Sequence, residues 1–273
     1  MAFTKNQIKL FFINFMLELM LMNSAYSSIK VKCVNSKADL RCVLETSNLI
    51  MRSFEPRDFN KVYQLYEDST VMKYVQQEIP LTREQSDETA QAWVDSWKAG
   101  NPASCLVAFE KGTEAIDIDN LLNATSSYDS QLGEFVGLFM LDPSPGPGSV
   151  EIGYVLAKNK WKQGYGTEGS IGLIDIFIPY INEVSESFEF NFSSIQKIEK
   201  VWATVSVGNS GSIRILDKLG FSPYPILSRK NQKKWLDEDC DIIGSVIDSK
   251  LTPRTLGSRY GVPKYFFSLA IQQ

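Results

Sequence analysis

From Asn48 onward the chain switches repeatedly between the period-two rhythm of strands and the wider rhythm of helices. Leu49-Ile-Met-Arg-Ser-Phe54 alternates like a strand, and Glu55-Pro56-Arg57-Asp58 reads as a turn that opens a helix. Within that helix Phe59, Val62, Tyr63, Leu65 and Tyr66 return near helical spacing. Thr82-Arg-Glu-Gln85 has the form of a capping box and predicts a second helix reaching about Lys98, with Trp93 and Trp97 four residues apart on one face. Gly100-Asn-Pro102 ends it. Cys105–Glu110 and Glu134–Leu141 are strand candidates, and the polar stretch between them is long for a hairpin, so it reads as a surface insertion. The turn Pro143-Ser-Pro-Gly-Pro-Gly148 feeds a strand from Val150 to Leu156. A glycine-punctuated turn, Trp161 to Gly166, then leads into a helix from Thr167 to Phe177. After a second polar insertion, Lys200–Val207 alternates as a strand, Ser212–Leu219 reads as a helix, and Gly220-Phe221 as its cap and the start of another strand. The charged segment Arg229 to Asp241 leads to a last strand, Tyr265–Ile271.

This order predicts an α/β (α+β) domain whose central sheet is mixed and mostly antiparallel, with one parallel-style crossover at the glycine turn. The domain spans 48–273, with insertions near 111–133, 179–197 and 226–260. Residues 29–47 are a polar-mixed lead-in, either a strand or a linker. Ahead of it, residues 1–28 form an apolar leader: Lys5 and Lys9 precede the apolar run Leu10 to Met22, and small residues follow. Glu18 stands inside that run, where an acidic group costs about 2.5–3.5 kcal/mol at a membrane centre. The readings left open are a signal peptide, a helix that packs on the domain or on a dimer partner, and a misread start; no stable membrane span is expected.

Composition narrows the chemistry. The chain of 273 residues has a net charge of −4, which gives no electrostatic footprint for nucleic acid and leans slightly towards cationic substrates. It contains no histidine. That removes Ser-His-Asp and Cys-His catalysis, His-ligated zinc and a histidine base. The cysteines at 33, 42, 105 and 240 form no CxxC pair, so no metal site is expected. Cys33 and Cys42 would pair in an exported protein, but reduced, buried cysteines are the preferred reading, with a cytoplasmic location.

The stretch Glu151-Ile-Gly-Tyr154-Val-Leu156-Ala157-Lys-Asn-Lys-Trp161-Lys162-Gln163-Gly164-Tyr165-Gly166-Thr167-Glu168 carries the chemistry. A strand, a glycine turn and a helix in succession aim several backbone N–H groups and the positive end of the helix dipole at one point, a site for an anion such as a pyrophosphate. Gly164 and Gly166 are free to take positive φ and to let a ligand approach the backbone. A second motif follows: Asn209-Ser-Gly-Ser212-Ile-Arg214-Ile-Leu216-Asp-Lys218-Leu-Gly220-Phe221.

Together these segments resemble the GNAT superfamily of acyl-CoA-dependent N-acetyltransferases, most closely its RimJ/RimL-type branch of ribosomal-protein N-acetyltransferases. That branch is similar in carrying N-x-x-S-x-R-x-L-x-K-L-G-F after E-I-G-Y and W-x-x-G-Y-A/G-T-E. The opening strand with Arg52, then Pro56-x-Asp58 and Val71-Met-Lys-Tyr74, resembles the family's first strand and helix, so the likeness covers roughly residues 48–225.

The resemblance implies a sheet splayed between its fourth and fifth strands, about Val150–Leu156 and Lys200–Val207, with a gap for the pantetheine arm of acetyl-CoA, the co-substrate. It places the pyrophosphate on Lys162, Gln163, Gly164, Tyr165, Gly166 and Thr167, and oxyanion-stabilising N–H groups near Leu156 and Ala157. Asn209 would bind the cofactor or organise the splay, Ser212 would cap a helix or contact the thioester, and Arg214 would reach phosphate or form a structural ion pair.

Without histidine a carboxylate is the natural proton acceptor, and Glu151 is the first choice; otherwise it is a surface or salt-bridge carboxylate. Leu216 stands where the family usually has its proton-donating tyrosine. Ser212 and Tyr154 are the substitutes, with capping and packing as their alternative roles. Trp161 reads as packing and Glu168 as compensation of the helix dipole, while Trp93, Trp97 and Tyr74 either wall the acceptor site or fill the core. The implied activity is acetyl transfer from acetyl-CoA to a primary amine, a protein N-terminus or a small molecule, by a monomer or homodimer. The alternatives are a non-catalytic acyl-CoA sensor and an exported effector-like protein on the same scaffold.

Overall fold

The computed structural model describes residues 30–36, 39–75, 79–112, 117–123, 132–143, 148–184, 197–206, 208–223 and 264–271. The apolar leader and the whole of the predicted third insertion, with the charged segment Arg229 to Asp241 inside it, lie outside them. No described helix is long and apolar enough to cross a membrane.

The lead-in is part of the sheet rather than a linker. Strands β1 (Lys30–Ser36) and β2 (Asp39–Glu45) form an antiparallel hairpin, and β2 pairs with β3 (Leu49–Ser53). Cys33 faces Cys42 across the hairpin and the two are joined as a disulfide, which corrects the reading of reduced thiols for this pair. Cys105 is buried and free.

Every residue of β3 is buried, which explains why its sequence is apolar with little true alternation: helices cover the sheet on both faces. Its one charge, Arg52, is neutralised inside the core. Arg52 Nη1 and Nη2 lie 2.8 and 2.9 Å from Asp58 Oδ2 and Oδ1. Asp58 closes a 3-10 turn, Pro56–Asp58, that runs straight into α1 (Phe59–Tyr66), so this pair fixes how the first helix leaves the sheet.

The short α2 (Ser69–Met72) follows, and α3 (Arg83–Lys98) starts at the capping box read from the sequence, Thr82 with Gln85. Val62, Leu65, Ala90, Val94 and Trp97 bury the apolar stripes of α1 and α3. Trp97 donates from Nε1 to the Cys105 carbonyl at 2.7 Å, and Trp93 stands edge-on to Phe54 at 5.3 Å. Both tryptophans therefore build core rather than present an aromatic wall to a substrate.

Strands β4 (Cys105–Glu110) and β5 (Phe135–Pro143) bracket the first predicted insertion, which is more than surface loop. It contains α4 (Ile118–Asn123), whose Leu121 and Leu122 are buried in the main core. β6 (Ser149–Leu156) pairs with β5 along its length. On the opposite sheet face from α1–α3, α5 (Tyr165–Ile171) continues through a π-helical stretch, Gly172–Phe177, into α6 (Ile178–Val184). The helix thus runs past the predicted end at Phe177 into the stretch read as insertion. It can approach the sheet closely because Gly169 lies on the Phe139 ring: a Cβ there would stand 2.2 Å from Phe139 Cζ.

The next strand, β7 (Lys200–Ser206), runs parallel to β6, but only Ser149↔Lys200, Val150↔Val201 and Glu151↔Trp202 pair before the two diverge. Counted from Leu49, these are the fourth and fifth strands, so the splay falls where the sequence motifs put it. After β7 come α7 (Ser210–Lys218) and the two-residue β8 (Ser222–Pro223). β9 (Lys264–Ala270) then enters between β7 and β8, completing the described sheet in the order β1-β2-β3-β4-β5-β6-β7-β9-β8. The β6–β7 pair is its only parallel contact among the described residues.

Candidate active site

Past Glu151 and Trp202 the two diverging strands leave a fork, and beside it opens a cleft of about 540 Å³. Its walls come from both motifs: Tyr154 and Leu156 of β6, the turn and first residues of α5, and Asn209 to Ser212, Arg214 and Lys218 around α7. Val71, Tyr74 and Val75 line it from the α1–α3 side, so the cleft reaches both faces of the sheet.

The glycine turn has the geometry of an anion nest. Lys162 sits at φ 62° and Gly164 at φ 91°, both left-handed. A Cβ at Gly164 would meet nothing within 4 Å, so glycine is needed there for its φ alone. Gly166 differs from the expectation. It is not among the positive-φ residues but lies in the helix, and its missing Cβ lets α5 approach α7, since a Cβ would stand 2.7 Å from Ile215 Cδ1. The first helical bond here runs from Glu168 N–H to the Gly164 carbonyl, so the N–H groups of Tyr165, Gly166 and Thr167 precede the helical ladder. Lys162, Arg214 and Lys218 add cationic walls to a protein whose net charge is negative. Gly164, with its open cradle, the early-turn amides and these cations fit the phosphates of acetyl-CoA. Gln163 is turned out of the cleft and donates to the Asn159 carbonyl at 2.6 Å.

Neighbouring side chains brace this turn. Trp161 donates from Nε1 to the Leu156 carbonyl at 2.8 Å, in keeping with its expected packing role. Lys160 is buried, with Nζ 2.7 Å from Glu110 Oε1 and 2.5 Å from Glu134 Oε2. Burial works against its charge, but the two carboxylates outweigh that and hold its ammonium above the ordinary lysine range. In return, the bond from Lys160, helped by one from Tyr165, holds the Glu110 carboxyl below the usual carboxylate range. Glu168 does more than balance a dipole. Its Oε1 accepts from Thr46 Oγ1 and the Asn48 N–H at 2.6 Å each, and Oε2 accepts from Asn48 Nδ2 at 2.9 Å, tying α5 to the β2–β3 turn.

At the other motif Asn209 caps α7, its Oδ1 accepting from the Ser212 N–H at 3.1 Å. Ser212 Oγ lies 2.6 Å from the Tyr154 hydroxyl. Burial pushes the Tyr154 phenol up to about 12, against the opposing effect of that bond. Arg214 is exposed and bonds back to Ser210, at 3.1 Å from Nε to the carbonyl and 3.2 Å from Nη2 to Oγ. Leu216 is wholly buried, so the position of the usual tyrosine points into the core rather than the cleft.

Glu151 and Tyr154 are three residues apart on one strand and so face opposite sides of the sheet. Tyr154 pairs with Phe139, which lies against Gly169 on the α5 side. Glu151 is on the α1–α3 side, at the base of the fork and outside the cleft lining. There Thr204 Oγ1 donates to its Oε1 at 2.7 Å, and Asp142 is its direct cross-strand partner. Asp142 reaches solvent yet stands in a crowded stretch of sheet. Burial, together with the negative charge of Glu151, pushes its carboxyl up to about 6.

The Ala157 N–H donates to the Val136 carbonyl of β5 at 2.9 Å, which removes it as an oxyanion donor. Strand alternation turns the N–H of Leu156 the other way, towards the fork. Asp142, Thr204, Lys160 and Lys218 were not singled out as site residues from the sequence, because one acidic, hydroxyl or basic residue carries no spacing signal of its own.

The sequence profile of the Acetyltransferase (GNAT) domain matches residues 48–222. The chain therefore belongs to the GNAT acetyltransferase family and is an acetyl-CoA-dependent acyltransferase. It is 24% identical over 197 residues to YnaD of Bacillus subtilis (strain 168), described as an uncharacterized N-acetyltransferase, a match that spans 71% of this chain and 92% of YnaD. Among solved structures, the fold is similar to a GNAT-family acetyltransferase from Bacillus anthracis, with a TM-score of 0.50 at 16% identity, over 85% of this chain and 99% of that one. It is also similar to a Salmonella typhimurium acetyl transferase that modifies the N-terminal serine of ribosomal protein L7/L12, with a TM-score of 0.49 at 11% identity, over 83% and 97% of the two chains. The first of these likenesses, at a TM-score of 0.50, speaks to the fold alone.

Proposed function

We propose that the protein moves the acetyl group of acetyl-CoA to a primary amine, either the α-amino group of a protein N-terminus or an amine of a small molecule, by direct attack of the amine on the thioester. The observation that carries this reading is the pair of hydroxyls of Tyr154 and Ser212, 2.6 Å apart in the same cleft as the anion turn. The amides of Tyr165, Gly166 and Thr167 and the cations Lys162, Arg214 and Lys218 hold the pyrophosphate. The pantetheine arm then runs into the fork and brings the thioester near Leu156, whose N–H stabilises the developing oxyanion. Because the cleft opens to both faces, an amine can approach from the side of Tyr74, Asp142 and Glu151. Glu151, through a water molecule, takes the proton that the amine must lose. On the opposite face Tyr154, held by Ser212, donates a hydrogen bond to the departing sulfur. These hydroxyls stand in for the tyrosine that Leu216 replaces. The match of Asn209 to Phe221 with the RimJ/RimL-type pattern supports placing the chain near that branch.

The test is free-thiol release from acetyl-CoA by the purified protein over a panel of peptides and amines. We expect turnover on at least one acceptor, and a Glu151→Gln variant that loses rate while binding coenzyme A as well as the parent. Tight binding of coenzyme A with no thiol release on any acceptor would overturn the proposal.

A further inference from the structure

The turn that faces the phosphates is held in a costly shape. Between Lys160 and Tyr165 the chain passes through left-handed Lys162 and left-handed Gly164. A lysine in that region is disfavoured by contact of its Cβ with the following carbonyl, and such a conformation persists only where its surroundings over-determine it. The two ends of the turn converge on one atom. Lys160 Nζ and the Tyr165 hydroxyl both bond Glu110 Oε1, at 2.7 and 2.8 Å. Glu134 takes the other side of the Lys160 ammonium.

The floor beneath is stiff. The Glu110 N–H donates to the Glu134 carbonyl and the Gly133 N–H to the Glu110 carbonyl, each at 2.9 Å, where β4 and β5 meet. A side chain at Gly133 would strike Glu110, with its Cβ 2.7 Å from the carbonyl oxygen. The staple is therefore anchored in the sheet and spans the strained turn from outside it.

We propose that Glu110, Lys160 and Tyr165 form a staple that sets the turn in its anion-binding shape before coenzyme A arrives, which makes Lys160 a positioning residue for the cofactor. Its ammonium is already matched by two carboxylates, so its service is to geometry more than to phosphate charge. The inference rests on the reading of the turn as the pyrophosphate seat. Lys160→Met should cut the staple without stranding a buried carboxylate, since the Glu134 side chain is 73% exposed and Glu110 keeps the Tyr165 hydroxyl.

The experiment measures the affinity of the full chain for coenzyme A by titration calorimetry, alongside thermal melting, for Lys160→Met, Lys160→Arg, Tyr165→Phe, Gly164→Pro and the Lys160→Met/Tyr165→Phe double variant. Lys160→Met should bind about tenfold more weakly, the scale expected from releasing one strained residue. Its melting temperature should stay close to the parent's, and Lys160→Arg should restore most of the affinity. The double variant should lose less than the product of the two single losses, because both cut the same link. If Gly164→Pro abolishes binding while Lys160→Met stays within twofold of the parent, the staple is refuted and the seat stands. If Gly164→Pro binds normally, the seat itself is wrong and the staple falls with it. Affinity losses that merely follow losses in melting temperature, in Lys160→Met and Lys160→Arg alike, also refute the staple.

Discussion

Replacing Tyr154 by Phe removes one hydroxyl and leaves the ring that packs against Phe139, with centroids 6.3 Å apart, so the fold should survive. The size of the catalytic loss follows from acidity. The Tyr154 phenol is pushed up to about 12 by burial, against about 8.5 for an alkyl thiol. Complete proton transfer from the phenol to the departing thiolate would therefore run uphill by about 3.5 units, roughly 5 kcal/mol. In the proposed mechanism Tyr154 therefore works as a hydrogen-bond donor to the sulfur rather than as a full acid. A hydrogen bond to a charged partner contributes about 1.5–3 kcal/mol, so Tyr154→Phe should lower kcat by about 10- to 150-fold. The KM for acetyl-CoA should hardly move, because the proposed phosphate seat is untouched. Ser212→Ala should lose less, since it removes only the partner that aims the phenol. The assay is thiol release at saturating acetyl-CoA and acceptor, from pH 6.5 to 10. Neither the parent nor the variant should show a loss of rate above pH 8 that belongs to tyrosine ionisation. A kcat unchanged within twofold, or a loss confined to KM, would refute the role given to Tyr154.

Three further outcomes are expected. Asp58→Ala takes away the carboxylate that matches the buried charge of Arg52, and should destabilise the protein by about 3–5 kcal/mol in denaturant unfolding. Gly169→Ala drives a methyl group into the Phe139 ring and should cost about 1–3 kcal/mol or more, with Phe139→Leu in the same chain recovering part of it. The third concerns Asp142, whose carboxyl is raised in the fold, so the native state holds more protons than the unfolded one and stability falls as pH rises from about 4 through about 6. Asp142→Asn should therefore melt higher than the parent at pH 7.5 and no higher at pH 4; a lower melting temperature at pH 7.5 would contradict the reasoning.

The parts of the fold that were legible in the sequence are those where spacing alone carries the signal. The capping box at Thr82, the stripes of α1 and α3, and the strand–turn–helix order around Gly164 all follow from local periodicity and turn chemistry. Long-range pairing was not legible. Nothing local tells that β2 would pair with β3 or that Leu121 and Leu122 would reach the core from an insertion. The same holds at the site. Glu151 and Tyr154 were readable as candidates, but their placement on opposite faces needed the strand's direction and register. The loss of the Ala157 N–H to Val136 depended on a neighbouring strand, and Lys160 gains its proposed role only when Glu110 and Glu134, distant in sequence, meet over it.

The fork also divides the domain mechanically. The strands from β1 to β6 and the group of β7, β9 and β8 are two half-sheets whose strand-to-strand seam is three residue pairs long. Past that seam the free edge of β6 is turned inward, where another protein chain cannot pair with it as it could with an outer edge. A coenzyme A molecule lying in the fork past the seam would rivet the halves together, and its binding free energy would add to the resistance of the whole domain to unfolding. The tightness of that joint would then follow the coenzyme A concentration around the protein.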